Sequence, residues 1–207
     1  MYVPGHFKSP DPALLSRLIE TYSFGTMITA AEEMKLTHLP CLFDGSRGEH
    51  GTIRAHVARA NDHWKHFDTE TLIVFQGPHC YVSPTWYEEV FSVPTWNYAV
   101  AHVYGQPEVL DESRSLEFLM DMVRFFEDPD STYDYEEGGA YARKSLPGIV
   151  AFEMPIAKVD MKFKMSQNKT EGDRLRVIDR LAKGDDPMGR EVARFMISLS
   201  TPSRPPA

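Results

Sequence analysis

The chain contains few cysteines, and this scarcity limits the chemistry open to it. Only Cys41 and Cys80 occur in 207 residues, and both stand in strand-like apolar segments. We interpret them as buried thiols rather than as a disulfide or a metal-binding pair, because free cysteine packs as a small hydrophobic side chain. A reducing, cytoplasmic setting is the expectation.

An excess of basic residues is also lacking. Lys and Arg number 22 against 30 Asp and Glu, which gives a net charge of -8. A net negative charge repels polyanions, so the overall electrostatic field of the protein does not favour binding of a polyphosphate. Any anion site must therefore be local.

Long apolar runs and an export signal are missing as well. No stretch approaches the roughly 18 uninterrupted apolar residues of a membrane span, and the start "MYVPG" lacks a basic region followed by an apolar one. We expect no membrane association and no export. There is no internal repeat.

Strand-like segments dominate the first half of the chain. Segments rich in β-branched and aromatic residues, separated by Gly, Pro, Asp and Asn, lie at 24–30, 35–44, 51–58, 71–78, 80–84 and 97–110. Their spacing is too short for crossover helices, so it predicts an antiparallel barrel or sandwich.

Helical patterns flank these strands. They lie at 13–23, 111–128, 171–183 and 187–200, and residues 146–169 return to strand character. The acidic stretch 129–144, which contains two adjacent glycines, is interpreted as a solvated connection, with a mobile lid as the alternative. We predict one domain over 1–199 and a flexible Pro-rich tail over 200–207.

A basic cluster stands out in "GTIRAHVARAN", residues 51–61. A strand there sends Arg54 and His56 to one face and Ile53, Ala55 and Val57 to the other. Arg59 and Asn61 follow in the turn. Guanidinium groups pair bidentately with phosphate oxygens, so the cluster is suited to a phosphate monoester. The alternative is a surface strand whose arginines pair with acids.

Other polar residues are candidates for the same site. His38 begins a strand expected to neighbour the cluster, although a structural histidine is the alternative there. Gln76 lies in an aromatic-rich segment that is able to wall a flat ligand or pack the core. The motif "KMSQNK" contributes Lys164, Ser166, Gln167 and Asn168, which either reach a ligand cleft or serve the start of a helix near Glu171.

Six segments in collinear order resemble the PaiB family, whose members are described as FMN-binding negative transcriptional regulators related to pyridoxamine-phosphate-oxidase split barrels. These segments are "MYVPGHF", "THLPCLFD", "GTIRAHVARANDHW", "IVFQGPHCYVSPTWY", "VPTWNYAVAHVYG" and "KMSQNK". The resemblance runs from residue 1 to about 199.

The resemblance implies an α+β fold, with a six-stranded antiparallel split β-barrel plus flanking and C-terminal helices. It also implies a homodimer with FMN in a cleft between subunits, and a flavin phosphate held by Arg54, His56, Arg59 and Asn61. The sequence departs from the oxidases in three ways. His38 stands in the strand before the cluster, where the oxidases have a basic residue. "VARAN" replaces their Ser-Arg-Lys turn, and the C-terminal substrate-phosphate motif has no counterpart. The oxidase activity is therefore not carried over.

Three functions remain open on the sequence. The first is a flavin-binding regulator that acts on a protein partner or on DNA, although the helix at 171–183 mixes acids with its basic residues. The second is a flavin-dependent oxidoreductase, or a haem-binding or haem-degrading enzyme, since split barrels include haem proteins. The third is a dimeric interaction protein without a ligand.

Overall fold

The structure, a computed structural model, describes residues 1–8, 11–88 and 92–199. Within these ranges the helices are α1 (Pro12–Thr21), α2 (Glu112–Phe126), α3 (Tyr135–Ser145), α4 (Glu171–Lys183) and α5 (Pro187–Ser198). The strands are β1 (Phe24–Ala30), β2 (Met34–Pro40), β3 (Leu42–Asp44), β4 (Thr52–Ala58), β5 (Thr71–Val82), β6 (Thr95–Gly105), β7 (Glu108–Val109) and β8 (Ile149–Lys164). The predicted tail, 200–207, lies outside the described residues.

The strands form one sheet in the order β2-β1-β5-β6-β8-β4-β3, and β7 pairs with β8. The β4 strand runs antiparallel to both β3 and β8. Alternate residues of β1 and β4 are buried, as expected for strands with one face on the core. Within the described ranges, no helix combines the length and the apolar composition needed to cross a bilayer.

The boundaries of the predicted strands needed three corrections. The predicted strands 71–78 and 80–84 are replaced by the single strand β5, which continues through Gly77 and Pro78 and ends at Val82. The predicted strand 97–110 is divided into β6, which ends at Gly105, and β7. The predicted strand 35–44 is interrupted at Cys41, so β2 and β3 are distinct. Glycine and proline mark strand breaks in sequence, but both are accommodated here inside a long strand.

The prediction of a solvated connection over 129–144 was wrong about the secondary structure of these residues and right about their exposure to solvent. Residues Tyr135–Ser145 form a helix, and none of them is buried. The carboxylate of Asp134 caps this helix by accepting from the backbone N–H groups of Glu136 and Glu137. This cap, reinforced by acids in the first turn, offsets the cost of two glycines inside the helix.

The described residues group into two compact units. The larger unit draws on residues 12–75 and 102–160, and the smaller draws on the described residues among 1–11, 76–101 and 161–199. In the larger unit, α2 packs through Phe118 against Leu42, Leu110 and Ala151. In the smaller unit, Phe163 of β8 stacks on Phe195 of α5 with ring centroids 5.6 Å apart.

Candidate functional site

The strand β4 places Arg54 and His56 on one face, as the sequence predicted. Both are partly exposed, whereas Ile53, Ala55 and Val57 between and beside them are buried. The alternation follows from the two-residue period of a strand with one face on the core. Two nitrogen-bearing side chains therefore leave the same face of one strand.

The helix α2 covers this face of β4. Arg54 Nη1 donates to Asp121 Oδ2 at 2.8 Å, and the His56 ring meets the edge of Phe118 at a centroid distance of 5.9 Å. Burial lowers the pKa of His56, because a low-dielectric surrounding disfavours the charged imidazolium. Arg54 is thus already paired, and His56 is favoured in its neutral form.

Arg59 is held in place by backbone carbonyls. Its Nε donates to Pro147 O at 3.2 Å and its Nη2 donates to Ile149 O at 2.7 Å. The guanidinium lies over the Trp64 ring at 5.7 Å, and Trp64 Nε1 donates to Arg59 O at 3.2 Å. These contacts fix the direction of the guanidinium while the residue stays exposed.

Asn61 belongs to a chain of polar side chains that runs inward from the turn after β4. Its Nδ2 donates to Thr37 Oγ1 at 3.0 Å, and Thr37 Oγ1 lies 2.8 Å from His63 Nδ1. His63 Nε2 lies 2.9 Å from Thr29 Oγ1, which is 2.7 Å from Thr71 Oγ1. His63, Thr29 and Thr71 are buried.

The sequence prediction missed the inner members of this chain. Thr29, His63 and Thr71 come from three separate segments, and no spacing rule connects them. A local signal exists only for Asn61, whose side chain accepts from the backbone N–H of His63 and so starts the 3-10 helix Asp62–His66. Asparagine at such a position is typical of a helix start.

His38 has partners of its own in the larger unit. Its Nδ1 lies 3.0 Å from Thr26 Oγ1, its cross-strand neighbour on β1. Its ring stacks on Phe24 at a centroid distance of 6.4 Å. The side chain is exposed on the outer face of β2.

The remaining predicted site residues lie in the smaller unit. Lys164 Nζ donates to Thr95 Oγ1 and to Trp96 O. Gln167 Nε2 donates to Phe163 O at 2.5 Å, and its Oε1 accepts from Met165 N at 2.6 Å. These bonds hold the turn after β8.

Ser166 and Asn168 differ in their surroundings. Ser166 is buried with a positive φ of 61° and accepts from Asn97 Nδ2 at 3.0 Å. Asn168 is exposed. The cap of α4 is Thr170, whose hydroxyl accepts from Asp173 N. Most polar side chains of the motif "KMSQNK" therefore form local hydrogen bonds.

Aromatic side chains flank Gln76 in the smaller unit. Gln76 Nε2 lies 3.4 Å from His79 Nδ1. The exposed Trp96 ring lies 6.4 Å from His79 and 6.3 Å from Tyr81, measured between centroids. This surface offers flat faces next to polar groups, which suits stacking on a planar ligand.

Beside Arg54, a cleft of about 240 Å³ is lined by three arginines and four acids. They are Asp44, Arg47, Arg54, Arg114, Glu117, Asp121 and Glu153. The buried carboxylate of Glu153 contacts Arg47 Nη2 at 2.8 Å and Arg114 Nη2 at 2.6 Å. Burial opposes its charge, but the hydrogen bonds from Arg114 and Arg47 outweigh burial and lower the pKa of Glu153.

Comparison with known proteins decides the family. The family described as "Putative FMN-binding domain" matches residues 1–158. The chain is also 32% identical over 202 residues to "Protease synthase and sporulation protein PAI 2" of Bacillus subtilis, covering 95% of this chain and 96% of that protein. The chain belongs to the PaiB family of FMN-binding domains. The resemblance of its motifs to this family is confirmed.

Solved structures support the fold of this PaiB family member. A conserved hypothetical protein from Mycobacterium tuberculosis aligns with a TM-score of 0.58 at 10% identity, over 82% of this chain and 94% of that one. A FAD and heme binding protein from Mycobacterium smegmatis aligns with a TM-score of 0.56 at 15% identity, over 75% and 72%. At these identities the likeness shows the fold alone. The predicted α+β split barrel is confirmed.

The family supports a flavin cofactor, and the donors of the basic cluster fit the phosphate of a flavin nucleotide. Among the described residues, Arg54 Nε and His56 Nδ1 are buried atoms without a hydrogen-bond partner. Buried polar groups are normally paired, and guanidinium and amide donors match phosphate oxygens. FMN, when bound, supplies redox chemistry that the protein's own side chains lack.

Proposed function

We propose that this PaiB family member binds FMN, with the flavin phosphate at the turn after β4. The observation that carries the proposal is the meeting of the Asn61 amide and the Thr37 hydroxyl at 3.0 Å, two residues after the fixed guanidinium of Arg59. The Asn61 amide and the Arg59 guanidinium lie in one turn and are groups that bind phosphate monoesters. The Thr37 hydroxyl of β2 holds the Asn61 amide in position.

Arg54 and His56 take a secondary place in this proposal. Arg54 Nε and His56 Nδ1 lack a hydrogen-bond partner, but both atoms are buried. The ion pair of Arg54 with Asp121 has to open, or to be shared, before the full guanidinium reaches a ligand. We therefore assign the larger share of phosphate binding to Arg59 and Asn61.

The first test is flavin retention. The protein is incubated with FMN, passed through gel filtration, and its absorbance spectrum recorded. We expect a retained flavin band near ~450 nm, which is lost in Arg59→Ala combined with Asn61→Ala. Lys65→Ala is the matched control, because it removes an exposed positive charge from the same segment.

Three results would contradict the FMN proposal. One is the absence of a retained band, and another is equal loss of flavin in Lys65→Ala. The third is a Soret band near ~400 nm after incubation with haemin in place of flavin retention, which would favour the haem alternative. Oxidation of NADH or NADPH by the flavin-loaded protein would extend the proposal to a flavin-dependent oxidoreductase.

We also propose that the protein is a homodimer joined through the outer face of β1 and β2. Large apolar side chains are exposed there, with Phe24, Met34 and Leu36 at 67%, 61% and 59% exposure. The β2 strand is the end of the sheet order, and contiguous apolar surface of this kind marks interfaces. The family resemblance implies FMN in a cleft between subunits, and we propose that this interface borders the cleft.

The dimer is tested by light scattering coupled to gel filtration. Leu36→Lys combined with Met34→Lys is expected to yield monomers and to weaken FMN retention. Val109→Lys changes an equally exposed apolar residue on another strand and is expected to leave the dimer intact. A wild-type monomer, or dimers unaffected by the double substitution, would overturn this assignment.

For the regulatory role, we propose negative transcriptional control exerted through a protein partner that senses the bound flavin. Ion pairing of two of the four basic residues of α4 supports a protein partner over DNA, since Arg176 binds Asp173 and Glu88, and Lys183 binds Asp179. Basic side chains paired in this way contribute little to phosphate-backbone binding. A sequence-specific gel shift that survives moderate salt would contradict the proposal in favour of direct DNA contact.

A further inference from the structure

A second cavity lies in the larger unit, where the start of α2, the 3-10 helix Leu146–Gly148 and the start of β8 meet. Its volume is about 270 Å³. Its walls include Arg59, Leu110, Glu112, Arg143, Leu146 and Val150. We call it the Arg143 cavity.

The lining combines an apolar wall with two guanidinium groups. Arg59 is fixed by its two carbonyl partners, and Arg143 reaches the cavity from the last turn of α3. The Ser115 hydroxyl donates to Leu110 O at 3.3 Å, so this donor is already used. Two arginines against the single acid Glu112 leave the lining with one net positive charge.

The size of the cavity limits its occupant. Pockets for drug-sized ligands are usually ~300–1,000 Å³, and about 270 Å³ lies below this range. A whole flavin nucleotide does not fit such a volume. An apolar wall with arginine at one side instead suits a compact molecule that has an apolar body and one anionic end.

We propose that the Arg143 cavity binds a small carboxylic acid with an apolar body, as a ligand separate from the flavin. The body lies against Leu110, Leu146 and Val150, and the carboxylate pairs with the Arg143 guanidinium. Arginine matches a carboxylate bidentately, and charge-assisted bonds of this kind are stronger than neutral ones. The inference does not depend on flavin binding, because only Arg59 is shared between the two sites.

The test is calorimetric titration of the full chain with benzoate, and with benzamide as the uncharged probe of the same shape. We expect saturable binding of one benzoate per chain and much weaker binding of benzamide. Arg143→Ala is expected to weaken benzoate binding about tenfold, the effect of losing one charge-assisted pair. Glu112→Gln is expected to strengthen it, because a repelling carboxylate is removed.

Lys144→Ala is the matched control, since Lys144 is the next exposed residue of α3 and is not among the residues that line the Arg143 cavity. It is expected to leave benzoate affinity unchanged. The proposal is overturned by absent saturation, by equal affinity for benzamide, or by equal loss of affinity in Lys144→Ala.

Competition with the flavin completes the test. Saturating FMN is expected to leave benzoate bound with a reduced affinity, because the flavin phosphate offsets the charge of Arg59, which lines the cavity. Complete displacement of benzoate by FMN would overturn the separate site. Flavin retention, measured by absorbance on the same samples, reports on the FMN proposal. Benzoate binding without flavin retention would leave the cavity assignment standing and reject only the FMN proposal.

Discussion

Asn61 and Thr37 join the turn after β4 to the strand β2 through a 3.0 Å hydrogen bond between the Asn61 amide and the Thr37 hydroxyl. Thr37 is itself in contact with His63, so the pair closes the outer end of a buried polar network. A phosphate bound at this turn would meet donors whose positions are set before the ligand arrives. Such preorganisation reduces the entropy lost on binding.

Removing either partner of this pair is expected to weaken FMN binding. Asn61→Ala and Thr37→Val should each raise the Kd about tenfold and lower the free energy of unfolding by ~1 kcal/mol, the net value of one hydrogen bond. Thr37→Ser keeps the hydroxyl and should behave as wild type. Flavin fluorescence titration and urea unfolding measure the two effects. Equal affinity in Thr37→Val and Thr37→Ser would contradict this role.

The two arginines that share Asp121 are expected to differ in their contribution to stability. Arg54 is mostly buried and Arg124 is mostly exposed, and each bonds one carboxylate oxygen of Asp121. Arg54→Ala should lower the free energy of unfolding by about 1–3 kcal/mol, because it removes the mostly buried ion pair and leaves Oδ2 of the partly buried Asp121 without that partner. Arg124→Ala should cost ~0–1 kcal/mol, as exposed ion pairs do. Equal unfolding midpoints in urea would refute the difference.

Glu153 is expected to make the fold sensitive to acid. Its folded-state pKa lies below the usual value, so its stabilising contribution is present above the unfolded pKa of about 4.3. This contribution is lost as the pH falls through the folded pKa, because the unfolded chain takes up the proton first. Glu153→Gln should be less stable at pH 7 by about 1–3 kcal/mol and should lose less stability on acidification. Parallel stability profiles of the wild type and Glu153→Gln between pH 7 and pH 3 would contradict this role of Glu153.

Protonation of His56 is expected to lower the stability of the fold at a higher pH than protonation of Glu153 does. Burial lowers its pKa in the folded chain, so the neutral form is favoured there, while the unfolded chain binds a proton below about 6.5. Stability should therefore be complete above that value and should decline as the pH falls toward the folded pKa. His56→Gln should flatten the change in urea midpoint between pH 7.5 and pH 5.5. The exposed His50→Gln variant serves as control and should retain the wild-type slope.

Local periodicity was enough to predict the strand β4 and the face shared by Arg54 and His56. It was not enough to predict that α2 covers this face, because Asp121 lies 67 residues after Arg54 and no spacing rule joins them. The helix α3 was missed for a different reason. The prediction gave more weight to the two adjacent glycines of α3 than to the helix-capping pattern of Asp134 followed three residues later by Glu137, although that pattern is present in the sequence.

The partners of the predicted site residues were the least accessible to sequence reasoning. The turn Arg59–Asn61 was recognised from its composition, whereas the direction of the Arg59 guanidinium depends on carbonyls 88 and 90 residues away. In the sequence, Thr29 and Thr71 of the polar network look like ordinary strand residues. Tertiary pairing across distant segments decides which polar side chains meet.

One tautomer of His63 gives the network that starts at Asn61 a single direction of proton donation. With the His63 proton on Nε2, donation runs from Asn61 to Thr37, on to His63, then to Thr29 and Thr71, and ends at the backbone oxygen of Thr69. A second proton on His63 would oppose the donor from Thr37. An acceptor that binds the Asn61 amide at the surface thus changes the first hydrogen bond of the network. Ligand binding at the turn after β4 is thereby coupled to the orientation of the hydroxyl groups at the start of β5.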